Sequence, residues 1–112
     1  MKKYEKIIYE ECMLPNGFTF LIRENIVDKL KFNALIESIE ELTKLEKTNK
    51  QIDKLTVACL FELPWEIENT VEHYKKQDEK LGQEVSLMAD KLRTAINEFL
   101  WTGLEEYYEN IE

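Results

Sequence analysis

The chain has 112 residues, of which 44% are hydrophobic and 34% are charged, with only three glycines and two prolines. This length and composition predict a single globular domain over residues 1–112 and leave little room for disordered linkers. No apolar run approaches the roughly 18–20 residues that span a bilayer, and the N-terminus lacks the apolar stretch of a signal peptide. The two cysteines, Cys12 and Cys59, are therefore expected to be reduced thiols in a cytoplasmic protein.

The net charge of −8 is unevenly distributed along the chain. Residues 1–56 carry ten basic and ten acidic side chains, whereas residues 57–112 carry five basic and thirteen acidic ones. Nucleic-acid binding requires clustered Lys or Arg side chains that neutralise phosphates. The one basic cluster, at Lys44, Lys47, Lys50 and Lys54, is interleaved with acidic residues and is interpreted as a solvated helix face. Neither nucleic acid nor a membrane is expected as a partner.

The first 24 residues are predicted to form a β-hairpin. The tripeptide Pro-Asn-Gly at 15–17 favours a tight turn, because proline presets φ and Asn-Gly tolerates positive φ. After it, Phe18, Phe20 and Ile22 repeat at a period of two, which is typical of a strand. Because a lone hairpin is only marginally stable in water, its apolar face is expected to pack on helices or on a second copy of the chain.

Beyond the hairpin the apolar residues recur at intervals of three and four. This spacing predicts an amphipathic helix over about 28–47. Thr48 and Gln51 have the spacing of a capping box, which predicts that the next helix begins there. Residues 52–63 are apolar nearly all round, and their helical spacing favours a buried helix, with a buried strand over 56–63 as the alternative.

Proline and glycine divide the rest of the chain. Pro64 is predicted to end the buried segment and to open a helix that runs to about Lys80. Gly82 predicts a break or bend before a last helix over about 83–108. The core stripe of that helix is Val85, Met88, Ala89, Leu92, Ala95, Ile96 and Phe99. The predicted fold is therefore mainly α (α+β), with an N-terminal β-hairpin at 1–24 and about four helices packed as a small bundle over 25–112.

The sequence contains no set of residues that predicts catalysis. His73 lacks a Glu three positions earlier, where Thr70 stands, so the Glu-x-x-His motif of carboxylate-bridged metal sites is missing. Cys59 lies in the most apolar stretch, which is expected to raise the thiol pKa and make it inert. The serines and glycines form neither an esterase elbow nor a phosphate-binding loop. No catalytic residue, cofactor or metal is predicted.

The C-terminal segment is the strongest candidate for an interaction surface. It carries more apolar side chains than one helical stripe can hold, together with glutamates that oppose the dipole at a helix end. Gly103 would let another backbone approach closely. Trp and Tyr are enriched at protein interfaces. The predicted interaction residues are Leu100, Trp101, Leu104, Glu105, Tyr108 and Glu109.

These observations favour a small acidic intracellular interaction or regulatory protein, such as an inhibitor, an immunity or antitoxin-like protein, or an adaptor. The expected partner is a basic protein, and a homodimer is also expected. The alternative is a small enzyme or ligand-binding domain with a pocket near Cys59, Trp65, His73 and Tyr74. A bacterial source is suggested by composition alone, since Lys, Glu, Ile and Asn are abundant and alanine occurs four times.

Overall fold

The computed structural model of the protein describes residues 2–49 and 51–109, with residues 108 and 109 described by their backbone alone. The structure is 78% helical. Its helices are α1 (Lys3–Met13), α2 (Phe18–Arg23), α3 (Lys29–Leu45), α4 (Lys54–Glu68), α5 (Val71–Gln77), α6 (Glu79–Trp101) and α7 (Glu105–Glu109). Among the helices described, none is long and apolar enough to cross a membrane.

The predicted α+β fold, a β-hairpin over 1–24 followed by about four helices, is wrong. The described residues form seven helices, and the described part of residues 1–24 forms α1 and α2 without a strand. The predicted turn is nevertheless present, and the amide of Gly17 donates a 2.8 Å hydrogen bond to the carbonyl of Leu14. Phe18 and Ile22 are both buried, since residues four apart share one face of a helix as well as one face of a strand. The short period-two pattern was therefore compatible with either structure.

The amphipathic helix predicted over 28–47 is confirmed as α3. It begins after Asp28, whose carboxylate accepts a hydrogen bond from the amide of Lys31 and so satisfies one of the unpaired donors of the first turn. Its buried residues are Phe32, Leu35, Ile36, Ser38, Ile39 and Leu42.

The buried segment that follows is a helix, as favoured, and the alternative of a strand over 56–63 is wrong. However, α4 starts after Asp53 and not at Thr48, because the Asp53 side chain caps the amide of Thr56. Pro64 does not end the segment either. It is buried inside α4, where the burial of its neighbours Leu63 and Ile67 offsets the loss of one backbone hydrogen bond.

The breaks on either side of α5 do not lie at the predicted positions. The chain turns at Asn69 and Thr70, and α6 begins after Asp78, whose carboxylate accepts a hydrogen bond from the amide of Lys80. Gly82 lies within α6 and is buried. A Cβ atom there would be 2.9 Å from the backbone N and Cα of Lys75, so the glycine permits close packing of α5 against α6 and not a bend.

The last predicted helix is correct in its core stripe and wrong in its end. Six of the seven predicted stripe residues are buried, and Met88 is half-buried. The helix ends at Trp101, and Gly103 (φ 80°) then allows a turn before α7. A Cβ atom on Gly103 would lie 2.3 Å from the carbonyl oxygen of Lys47, so the backbone that approaches this glycine belongs to the same chain.

Two helices organise the core of the protein. The long helix α6 packs against α3, α4 and α5, and α1 packs against α3 and α4 on the other side. The core that these helices enclose includes the fully buried aromatic side chains Phe18, Tyr74 and Phe99. This arrangement leaves one side of α4 facing solvent and one edge of it facing α1 and α2, and both of these surfaces bear on function.

Candidate functional site

A cavity of about 390 Å³ lies where α1 and α2 meet α4. We call it the cysteine cavity, because Cys12 from α1 and Cys59 from α4 both line it. Thr19 of α2 also lines the wall, while Met13 and Leu55 are exposed apolar residues at the mouth. The size and the mostly apolar lining fit a small organic molecule or a single inserted side chain.

The two thiols of the cavity interact with each other. Cys12 is 8% exposed and Cys59 is 6% exposed, and both are free cysteines. The neighbouring Cys12 thiol lowers the pKa of Cys59 to about 7, while Cys59, together with burial, raises the pKa of Cys12. Cys59 is buried as predicted, but the predicted rise in its pKa is wrong because the neighbouring thiol outweighs desolvation.

Polar side chains occur both on the wall of the cavity and at its rim. The hydroxyl of Thr19, a residue that is 3% exposed, makes no hydrogen bond of ordinary geometry within the described residues. It does lie near enough to Cys12 to oppose the rise in that thiol's pKa. At the rim, Arg23 of α2 donates to Glu66 of α4 at 2.5 Å and so ties the two walls together.

The outward side of α4 carries two exposed aromatic side chains, Phe61 and Trp65, which we call the aromatic face. Phe61 is 81% exposed and Trp65 is 65% exposed. They are four residues apart and therefore adjacent on the helix surface. Ala58 and Glu62, at neighbouring positions of the same helix, line the cysteine cavity, so the aromatic face adjoins its rim.

The residues around the aromatic face are mainly acidic. Glu62 is exposed beside Trp65, and Glu66 and Glu68 follow within one turn. Arg23 pairs with Glu66, and Arg93 of α6 pairs with Glu68. The border of the aromatic face therefore contains three carboxylates and two arginines, with one more negative than positive charge.

The residues predicted for the C-terminal interaction surface differ in their exposure to solvent. Leu100 is half-buried against the core, and Leu104 is half-buried in the turn after α6. Trp101 is 38% exposed, and the carboxylate of Glu105 accepts a hydrogen bond from the amide of Gly103. The side chains of Tyr108 and Glu109 lie outside the described residues.

The alternative pocket predicted around four residues is not assembled as one site. Cys59 lines the cysteine cavity, whereas Trp65 belongs to the aromatic face. Tyr74 is buried in the core, and its hydroxyl donates to the carbonyl of Ile22. His73 is exposed, and its Nε2 atom lies 3.2 Å from the side-chain oxygen of Asn25.

Metal-binding clusters and similar proteins were both sought as indications of function. Over residues 2–49 and 51–109, no cluster of three or more His, Cys, Asp or Glu side chains could hold a metal ion. Comparison of the chain with protein-family models, with curated proteins and with solved structures gives no match.

Sequence reasoning missed Cys12 as the partner of Cys59 and missed Phe61 as a surface residue. The two cysteines are far apart in the chain, so no local pattern links them. No local pattern marks Phe61 as exposed either, because apolar residues occur on every side of α4.

Proposed function

We propose that this protein is a small acidic interaction or regulatory protein that binds a basic protein partner through the aromatic face of α4. The observation that carries the proposal is the exposure of Phe61 and Trp65 side by side on one helix. Aromatic side chains supply most of the binding energy at many interfaces, and singly exposed ones are far less informative than a pair.

Charge favours a basic partner over a second copy of the chain. Each copy carries a net charge of −8, so two copies repel one another, whereas a basic protein is attracted and oriented. The homodimer predicted from the sequence thus becomes the competing outcome. The C-terminal surface around Trp101 remains a second candidate, and Trp101 is 38% exposed whereas Phe61 is 81% exposed.

Affinity capture from a lysate of the native host, followed by reconstitution with the purified captured protein, tests the proposal. The test variant replaces both Phe61 and Trp65 with serine. The matched control replaces Leu30 and Leu87, which are exposed leucines on α3 and α6, with serine. We expect a basic protein that binds the wild type and the control equally and binds the test variant at least tenfold more weakly.

Two further measurements separate the competing outcomes. The dissociation constant should rise with salt, because steering by opposite charges is screened. A Trp101→Ala variant that loses the partner while the test variant keeps it would assign binding to the C-terminal surface. Sedimentation showing a dimer that only the test variant abolishes would replace the basic partner with a second copy.

A further inference from the structure

The cysteine cavity contains two thiols that take no part in the proposed binding of a protein partner. Cys12 lies in the last turn of α1 and Cys59 lies in the middle of α4, and these are the only cysteines of the chain. Both side chains are buried and line the same cavity, where each perturbs the ionisation of the other. Two buried thiols that line one cavity, on helices that pack against each other, form a candidate dithiol pair and not two isolated core residues.

The pair is asymmetric in a way that assigns separate roles. The neighbouring Cys12 lowers the pKa of Cys59, whereas the pKa of Cys12 is raised, so the thiolate forms more readily on Cys59. The thiolate and not the thiol is the nucleophile in disulfide exchange. Cys59 is therefore the attacking sulfur, and Cys12 is the neighbour that can act second.

The wall of the cavity contributes an independent observation. Thr19 is 97% removed from solvent, since its exposed fraction is 3%, and its hydroxyl has no hydrogen-bond partner of ordinary geometry among the described residues. A buried polar group without a partner is uncommon and often marks a place where a ligand atom binds. Thr19 lines the cavity that holds both thiols, so this unpartnered hydroxyl belongs to the wall against which a small molecule would bind.

We propose that Cys12 and Cys59 form a redox-active dithiol that reacts, inside the cysteine cavity, with a small organic disulfide. The apolar walls would hold the organic groups of that disulfide, and the volume of about 390 Å³ limits its size. The inference is independent of the partner proposed for the aromatic face, because it concerns the inner wall of α4 and the free protein.

The reaction proceeds by two exchanges. The Cys59 thiolate attacks one sulfur of the disulfide RSSR, forms Cys59–S–S–R and expels RS⁻. The Cys12 thiol then loses its proton and attacks the Cys59 sulfur, which forms the Cys12–Cys59 disulfide and expels the second RS⁻. The protein dithiol is oxidised by two electrons, and RSSR is reduced to two RSH that take up the two protons.

The test uses the full chain and bis(2-hydroxyethyl) disulfide, a small neutral probe. Samples are quenched with N-ethylmaleimide at successive times and analysed by intact mass and peptide mapping. For the wild type we expect a transient adduct on Cys59, followed by a monomeric product that has lost two hydrogens and carries no maleimide. Cys12→Ser should stop at a stable adduct on Cys59, and Cys59→Ser should react at least tenfold more slowly than the wild type.

Several outcomes would overturn the proposal. They are a wild type that ends with two adducts, a wild type that does not react, a first adduct on Cys12, and disulfide-linked dimers on a non-reducing gel. Circular dichroism checks that both serine variants are folded. If either variant is unfolded, the wild type alone still tests the proposal, because peptide mapping shows which of its cysteines forms the first adduct.

Discussion

The hydroxyl of Tyr74 donates a 2.6 Å hydrogen bond to the carbonyl of Ile22, which joins α5 to the end of α2 across 52 positions of the chain. Both residues are buried. The last carbonyls of a helix have no intrahelical donor, so Tyr74 satisfies a group that would otherwise be buried without a partner. This bond fixes the short helix α2, which supplies Thr19 and Arg23 to the cysteine cavity.

Replacement of Tyr74 with phenylalanine removes only that hydrogen bond. We expect the free energy of unfolding in urea to fall by about 1–3 kcal/mol, because the Ile22 carbonyl stays buried and unsatisfied. Tyr9→Phe, at a half-buried tyrosine on α1, is the control and should change stability by less than about 0.5 kcal/mol. Equal stability of Tyr74→Phe and the wild type would show that the bond is dispensable.

The same tyrosine predicts a pH effect at the alkaline end. Burial raises the pKa of Tyr74 above its ordinary value of 10.0. The folded state therefore keeps a proton that the unfolded state loses, so the stability of the wild type falls as pH rises above about 10. The difference in stability between wild type and Tyr74→Phe should shrink over that range, as measured by urea unfolding at a series of pH values.

Gly82→Ala tests the close packing of α5 on α6. Alanine has the higher helix propensity by about 1 kcal/mol, so an isolated helix would be stabilised. In the folded protein the new methyl group would meet the backbone of Lys75 at 2.9 Å, and overpacking of this kind costs about 1–3 kcal/mol. We expect a net loss of stability, whereas Gln83→Ala at the next, exposed position should be neutral or stabilising. A more stable Gly82→Ala protein would contradict the close approach.

Glu46 provides a second test of a buried polar group. Its carboxylate, at the end of α3, accepts hydrogen bonds from Lys2 Nζ at 2.9 Å and from Asn49 Nδ2 at 2.7 Å, and these bonds lower its pKa. Glu46→Gln should destabilise the protein by about 1 kcal/mol at neutral pH. Lys2→Ala should cost less, because the lysine is exposed and Asn49 still pairs with the carboxylate.

The sign of the Glu46 effect follows from the lowered pKa. A carboxylate with a depressed pKa in the folded state adds stability above its unfolded pKa, here near 4.5, and loses it as pH falls below that value. The difference in free energy of unfolding between the wild type and Glu46→Gln should therefore shrink steadily as the pH falls below about 4.5. A difference that persists unchanged in acid would mean that shape and not charge matters at this position.

The ionisation of Cys59 can be measured directly by alkylation. We expect the rate of reaction with iodoacetamide in the wild type to rise with pH around a midpoint of about 7, because Cys12 stabilises the thiolate. Cys12→Ala removes the donor and should move the midpoint upward, toward or above that of an ordinary thiol. Cys12→Ser keeps a hydroxyl donor and should lie between them. An identical midpoint in all three proteins would assign the low pKa to another cause.

Local chemistry determined several elements from the sequence alone. The intervals of three and four that predict α3 and the core stripe of α6 extend over many residues, so the helical period is clear and only the ends of the helices were misplaced. A turn at 15–17 was also predicted correctly, although Gly17 has a φ of −76° and serves the close approach to the carbonyl oxygen of Glu10 and not a positive φ.

Other assignments depended on contacts that no short window contains. Phe18 and Ile22 suit a strand or a helix equally, and packing of α2 against α1 and α4 decided for the helix. Pro64 disfavours a continuing helix locally, yet burial of the residues around it keeps α4 intact. The role of Gly82 depends on the position of Lys75 in the neighbouring helix.

The two candidate sites also depend on contacts between residues that are far apart in the sequence. Every side of α4 has apolar residues, so the sequence determined that the segment would be helical and largely buried, but not which side would face solvent. The packing of α4 between α6 and α1 decided that Leu60 and Leu63 lie in the core and that Phe61 and Trp65 remain exposed. The same packing brought Cys59 to Cys12, because only tertiary structure places residues from separate helices side by side.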